Sequence, residues 1–174
     1  MAKLLIVPGH QALGEGHWQT LWLGAMPDAH LVELSGWRHP NKGEWVEALD
    51  DAIADCVAPP LLVGHALGCL AIVHWAAEYE REIRGALLVA PVDVERAKGQ
   101  EQWRTFAPIP RHTLSFPAIV VASGDDPFMR LERARGLAAE WGARFVALGA
   151  GGHVDQASGH GPWPRGEALL AELR

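Results

Sequence analysis

At 174 residues, with 49% hydrophobic and 21% charged side chains, the chain is sized for a single domain, residues 1–174, with enough apolar material to bury a core. A formal charge of -6 without any Lys/Arg cluster excludes the electrostatics of nucleic-acid binding, so no nucleic-acid partner is expected and the charge serves solubility. No apolar run approaches the roughly 20 residues that cross a bilayer, and the N-terminus leaves no room for a signal segment; a cytoplasmic protein without a membrane partner is expected.

In chain order, residues 3–7 are apolar after the first and read as a strand buried on both faces, ending at Pro8-Gly9-His10. A loop leads to a helix over residues 18–23 that Pro27 closes, then a short strand over 31–34 and a loop carrying Trp37. Asn41 and Glu44 have capping-box spacing, and Trp45, Leu49, Ala52, Ile53 and Cys56 recur at helical spacing behind them. Pro59-Pro60 ends that helix and opens a strand over 61–63. An Ala-rich helix over 67–79 and a strand over 86–89 follow, the latter ending at Ala90-Pro91. Residues 92–116 contain Pro108 and Pro110 and form no long helix; a connection of that length is more often functional than idle. A strand over 118–122, a helix over 130–141, a strand over 144–148, a Gly-rich loop over 149–164 and a helix over 165–173 complete the chain.

Strands alternating with helices imply an α/β fold: six strands, mainly parallel, with helices on both faces. Ligands then sit beyond the carboxyl ends of the strands, where strand order reverses. One such end is Gly64-His65-Ala66-Leu67-Gly68, a strand–turn–helix with the glycine spacing of a nucleophile elbow, yet its central residue has no nucleophilic atom. Two others carry what a nucleophile at position 66 needs: Ser123-Gly124-Asp125-Asp126-Pro127 and Gly151-Gly152-His153. The order nucleophile, acid, base suits a triad in which His153 takes the proton and a carboxylate fixes its tautomer. Asp126 is preferred as the acid because the residue before proline is held extended, whereas Asp125 is expected to accept hydrogen bonds from the turn. The oxyanion donors are expected to be the backbone N–H groups of Leu67 and His10. The histidines have no metal-ligand spacing, so neither metal nor cofactor is expected, and Cys56 and Cys69 read as small buried hydrophobes.

These pieces resemble the small serine hydrolases typified by retinoblastoma-binding protein nine and its bacterial relatives. The resemblance rests on Pro8-Gly9 with His17-Trp18, on Trp37 and Pro40 ahead of Trp45, and on Leu62-Val63-Gly64-His65-x-Leu67-Gly68-Cys69. It continues through Ala90-Pro91, Ala122-Ser123-x-x-Asp126-Pro127-Phe128, Trp141-Gly142-Ala143 and Gly152-His153, and ends in Ser158-Gly159-x-Gly161-Pro162-Trp163. It implies a compact α/β-hydrolase fold without a large cap domain, a triad with acid and base at Asp126 and His153, and a serine where Ala66 stands. No substrate follows from it.

Three explanations of Ala66 compete: an engineered serine-to-alanine change, a natural pseudoenzyme that binds a protein or small molecule, and a different nucleophile. Cys69 and Ser158 are weak substitutes, since neither is presented by the elbow. Alanine keeps the strain of the turn and deletes only the oxygen, which favours deliberate removal over natural loss. The expected reaction is acyl transfer from a small carboxylic ester, with amide or thioester as variants, and the chain as written is expected to be inert. Among eight tryptophans, Trp22, Trp45, Trp75 and Trp141 fall in helical patterns and read as core. Trp18, Trp37, Trp103 and Trp163 fall in or beside loops and are candidates to line an apolar pocket, with His160 as a further candidate.

Overall fold

The computed structural model describes residues 3–9, 13–96 and 101–174. Six strands form one sheet in the order β2-β1-β3-β4-β5-β6: β1 (Leu4–Val7), β2 (Ala29–Leu31), β3 (Leu61–His65), β4 (Gly85–Val89), β5 (Ala118–Ala122) and β6 (Arg144–Ala147). Every pairing is parallel, so the expected mainly parallel sheet is parallel throughout.

Strand alternation divides the core into two layers. Leu5, Val7, Leu62, Ala86, Leu88, Ala118 and Val120 face the cluster that holds Trp45, Leu49, Leu70, Trp75, Leu137 and Trp141. Leu4, Ile6, Leu61, Val63, Leu87, Val89, Ile119 and Val121 face the cluster that holds Trp18, Trp22, Trp163, Leu169 and Leu170. The first layer is therefore made by α2 (Lys42–Ala54), α3 (Leu67–Glu78) and α4 (Leu131–Glu140), and the second by α1 (Trp18–Ala25) and α5 (Pro164–Ala171). Because β1, β3, β4 and β5 have helices on both faces, all of their residues are buried, which is why they read as unbroken apolar runs.

The predicted cap of α2 forms: Asn41 Oδ1 accepts the Glu44 N–H at 3.2 Å. The second strand lies earlier than its apolar residues suggested. Val32 and Leu34 are buried, but regular pairing with β1 covers Ala29 to Leu31, half-buried or exposed at the sheet edge, and Val32 adds one bond to Ile6 O. Hydrophobicity there marks what lies under the edge, and the backbone ladder alone marks the strand. Cys69 is buried, whereas Cys56, expected to be buried too, is half-buried just past the end of α2.

The order β2-β1-β3 means that the chain leaves β1 in one direction for β2 and crosses back to β3 in the other, which opens a crevice at the carboxyl ends of β1 and β3. The described residues of 92–116 bring Trp103 to that end. Their described part contains one 3-10 helix, Glu101–Phe106, and no α-helix. The segment is tied down at several points: Glu95 accepts the Ile109 N–H at 2.8 Å and pairs with Arg111 and Arg133, and the Trp141 indole donates to Pro110 O at 2.7 Å. No described helix is long and apolar enough to cross a membrane.

Candidate active site

Ala66 sits between β3 and α3 with φ 53° and ψ -119°, a left-handed conformation that a non-glycine residue holds only under constraint. The constraint comes from packing around it. Ala66 N–H donates to Val89 O at 2.9 Å, and the flanking glycines allow approaches that no side chain would permit. A Cβ on Gly68 would stand 2.3 Å from Val7 O, and one on Gly64 would stand 2.9 Å from the Cys69 nitrogen. The two glycines of the motif thus serve close backbone contact, and the strained dihedral belongs to Ala66 itself. Leu67 is the first residue of α3, so its N–H points from a helix N-terminus where no intrahelical acceptor exists.

Asp126 and His153 are brought together by β5 and β6. His153 Nδ1 lies 3.1 and 3.0 Å from the two Asp126 carboxylate oxygens, and the Asp126 side chain is 1% exposed. The Phe128 N–H donates to Asp126 Oδ1 at 2.8 Å, which fixes the carboxylate from behind. Asp125 turns the other way and accepts the Gly152 N–H at 2.8 Å, clamping the loop that carries His153. That loop is also strained: Gly152 and Val154 on either side of His153 have φ of 57° and 51°. For a β-branched residue this is an outlier, and it is held by burial and by the Trp18 indole donating to Val154 O at 2.8 Å.

Ala66 and His153 line one cavity of about 740 Å³ together with Gly9, His17, His65, Trp103, Phe128 and Asp155. A match to a family model described as serine hydrolase covers residues 4–172. The chain belongs to the serine hydrolase family.

Solved structures agree on the architecture of this serine hydrolase. A YdeN-like hydrolase from Pectobacterium atrosepticum superposes with a TM-score of 0.89 at 31% identity, over 99% of this chain and 90% of that one. The ydeN gene product of Bacillus subtilis gives 0.80 at 20% identity over 99% and 98% of the two chains. Carboxylesterase CesB of the same species gives 0.65 at 12% identity over 98% and 82%, a likeness of fold alone. No curated protein matches the chain. The fold is that of the α/β-hydrolases, all parallel.

Of the predicted pocket residues, Trp103 lines the cavity and the others do not. Trp18 is fully buried, edge-on to Trp22 at 4.8 Å; Trp163 packs in the same cluster, and Trp37 rests edge-on to Trp45 at 5.7 Å. Their loop positions reflect the anchoring of loops to core layers. His160 hydrogen-bonds the Ser158 hydroxyl at 3.3 Å and packs on Trp163, also away from the cavity. His10 lies outside the described residues. Cys69 is fully buried with its thiol donating to Val89 O at 3.2 Å, and burial raises its pKa far above the ordinary thiol value, so it offers no thiolate.

Two histidines of the site escaped sequence reasoning. His17 caps α1, its Nδ1 accepting the Gln19 N–H at 3.1 Å, and burial lowers its pKa to about 4. His65 is buried with its Nε2 2.9 Å from His153 O, and burial lowers its pKa to about 3. Both are neutral at physiological pH. The neutral His65 ring donates from Nε2 to that carbonyl, which joins the elbow to the loop of the base. Phe128 and Asp155, each two residues from a predicted site residue, also line the cavity and were also missed.

Proposed function

We propose that this serine hydrolase site is built for acyl transfer from a small carboxylic ester, with amide or thioester as related substrates, through a hydroxyl at position 66. The chain carrying Ala66 would bind such a ligand without turning it over. In the complete site, the hydroxyl of residue 66 attacks the carbonyl while His153 Nε2 takes its proton, Asp126 holds the imidazolium, and the Leu67 N–H meets the developing oxyanion. The alcohol leaves with the proton that His153 returns, and water repeats the sequence in reverse to free the acid.

The observation that carries this reading is the pairing of His153 Nδ1 with Asp126 at 3.0 Å in a cavity whose wall includes a residue 66 held at φ 53°. That strained turn has value only for presenting a side-chain atom, and it fits the removal of one oxygen from a working elbow. Loss of the nucleophile in a comparable triad costs roughly 10⁶-fold, so Ala66 leaves only the catalysis of binding and oxyanion stabilisation.

The test is Ala66→Ser. The folded variant is expected to be labelled by a fluorophosphonate probe and to turn over p-nitrophenyl acetate, while the unmodified chain does neither. Ala66 itself favours a second reading, a hydrolase fold retained for binding a protein or small molecule. A folded Ala66→Ser protein that neither labels nor hydrolyses would select it.

A further inference from the structure

The cavity holds a carboxylate that acyl transfer does not use. Asp155 lines it, and its Oδ1 accepts the Ser158 N–H at 2.9 Å and the Ser158 hydroxyl at 2.8 Å, while Oδ2 accepts from no described residue. Burial opposes its ionisation, but the bonds from Ser158 outweigh burial and hold the carboxyl below its usual range. Asp155 is therefore anionic at neutral pH.

No fixed cation among the described residues of the cavity wall cancels that charge. The wall has no lysine or arginine among its described residues, and burial keeps His17 and His65 uncharged. His153 already has both oxygens of Asp126, at 3.1 and 3.0 Å, so Asp155 is in excess of what the base requires. Trp103 and Phe128 line the same cavity with ring centroids 5.8 Å apart, edge to face. A cavity wall that holds a carboxylate and aromatic rings, with no lysine or arginine among its described residues, attracts ammonium groups through charge and ring quadrupole and repels anions.

We propose that this site selects esters carrying an ammonium group, held by Asp155 Oδ2 and the Trp103 and Phe128 rings, an inference that rests on the acyl-transfer reading above. Two matched pairs test it on the Ala66→Ser protein. Umbelliferyl aminocaproate against umbelliferyl caproate places the charge on the acyl side; acetylcholine against dimethylbutyl acetate places it on the alcohol side. The cationic member of at least one pair is expected to have roughly tenfold higher kcat/KM, about what one ion contact and one cation–π contact supply together. Salt at about 0.5 M should shrink that advantage. Asp155→Asn keeps an Oδ1 acceptor for Ser158, so the loop is retained, and the ratio between pair members should fall towards one.

Equal turnover within both pairs overturns ammonium selection and leaves the hydrolase reading standing. A preference that survives Asp155→Asn overturns it as well, as does an equal loss for neutral and cationic esters, which would assign the carboxylate to the imidazolium. If a folded Ala66→Ser protein hydrolyses none of the esters, the acyl-transfer reading fails. Calorimetric titration of the unmodified chain and of Asp155→Asn with choline then decides the cation site alone: weaker binding to the variant supports it, and equal or absent binding overturns it.

Discussion

Ala66 keeps the backbone strain of an elbow without the atom that such strain presents. A non-glycine residue in that conformation costs on the order of 1–3 kcal/mol. Ala66→Gly removes the strain and loses little packing, so it is expected to stabilise the protein by about 1 kcal/mol, read as a rise of a few degrees in Tm. A fall in Tm would mean that the Ala66 methyl contributes more through packing than the dihedral costs. In the Ala66→Ser background, His153→Ala should abolish turnover, and Asp126→Asn should lower kcat by roughly 10⁴ by favouring the wrong tautomer while the Phe128 N–H keeps its acceptor. An Asp126→Asn variant with undiminished kcat would transfer the orienting role elsewhere. Ala66, Asp126 and His153 were legible in the sequence because each follows a strand within two residues of glycine or proline, and the segments after strand ends are where this fold gathers chemistry. His65, His17 and Asp155 were not, because nothing local says which neighbours of a strand end turn into the cavity.

The β3–α3 unit is held by contacts between backbones. A Cβ on Gly68 would meet Val7 O at 2.3 Å and Pro8 O at 2.5 Å, neither of which is free to swing aside. Gly68→Ala should cost about 3 kcal/mol or more, measured by denaturant unfolding, and should remove the activity of the Ala66→Ser protein by shifting α3 away from β1. A second vulnerable connection is Arg133 on α4, which pairs with Asp93 at 2.8 Å and with Glu95. The Asp93 and Glu95 side chains are 8% and 23% exposed, so Arg133→Met leaves the poorly hydrated Asp93 without its cation and Glu95 with Arg111 alone. Increased proteolysis within residues 92–116 is the expected result, and an unchanged digestion pattern would show that the other anchors suffice. Helix and strand positions were mostly legible from periodicity and proline punctuation. The edge strand was displaced because burial of Val32 and Leu34 mimicked pairing, and the anchoring of residues 92–116 was invisible because its partners lie far away in sequence.

For the molecule as a whole, the histidines set an acid limit. His65 and His17 have folded pKa values of about 3 and 4, below the unfolded value near 6.5. The unfolded state therefore binds protons first as pH falls. The stability that goes with keeping both rings neutral is fully present above 6.5 and is lost progressively towards pH 4 and 3. Tm should decline across that window, and His65→Gln, which removes one of the titrating groups, should flatten the decline; an equally steep curve would place the sensitivity in His17 and His74, whose pKa values burial also lowers. The sequence by itself determined the alternation of elements, the parallel sheet and the order of residue 66, acid and base along the chain. These follow from local periodicity and from the punctuation of strand ends by glycine and proline. The tertiary structure decided which tryptophans line the cavity and which are core, and that two neutral histidines and a further carboxylate share the cavity wall with Ala66. Those outcomes depend on distances between segments far apart in sequence, fixed by the packing of two helix layers on one sheet, and no local pattern encodes them.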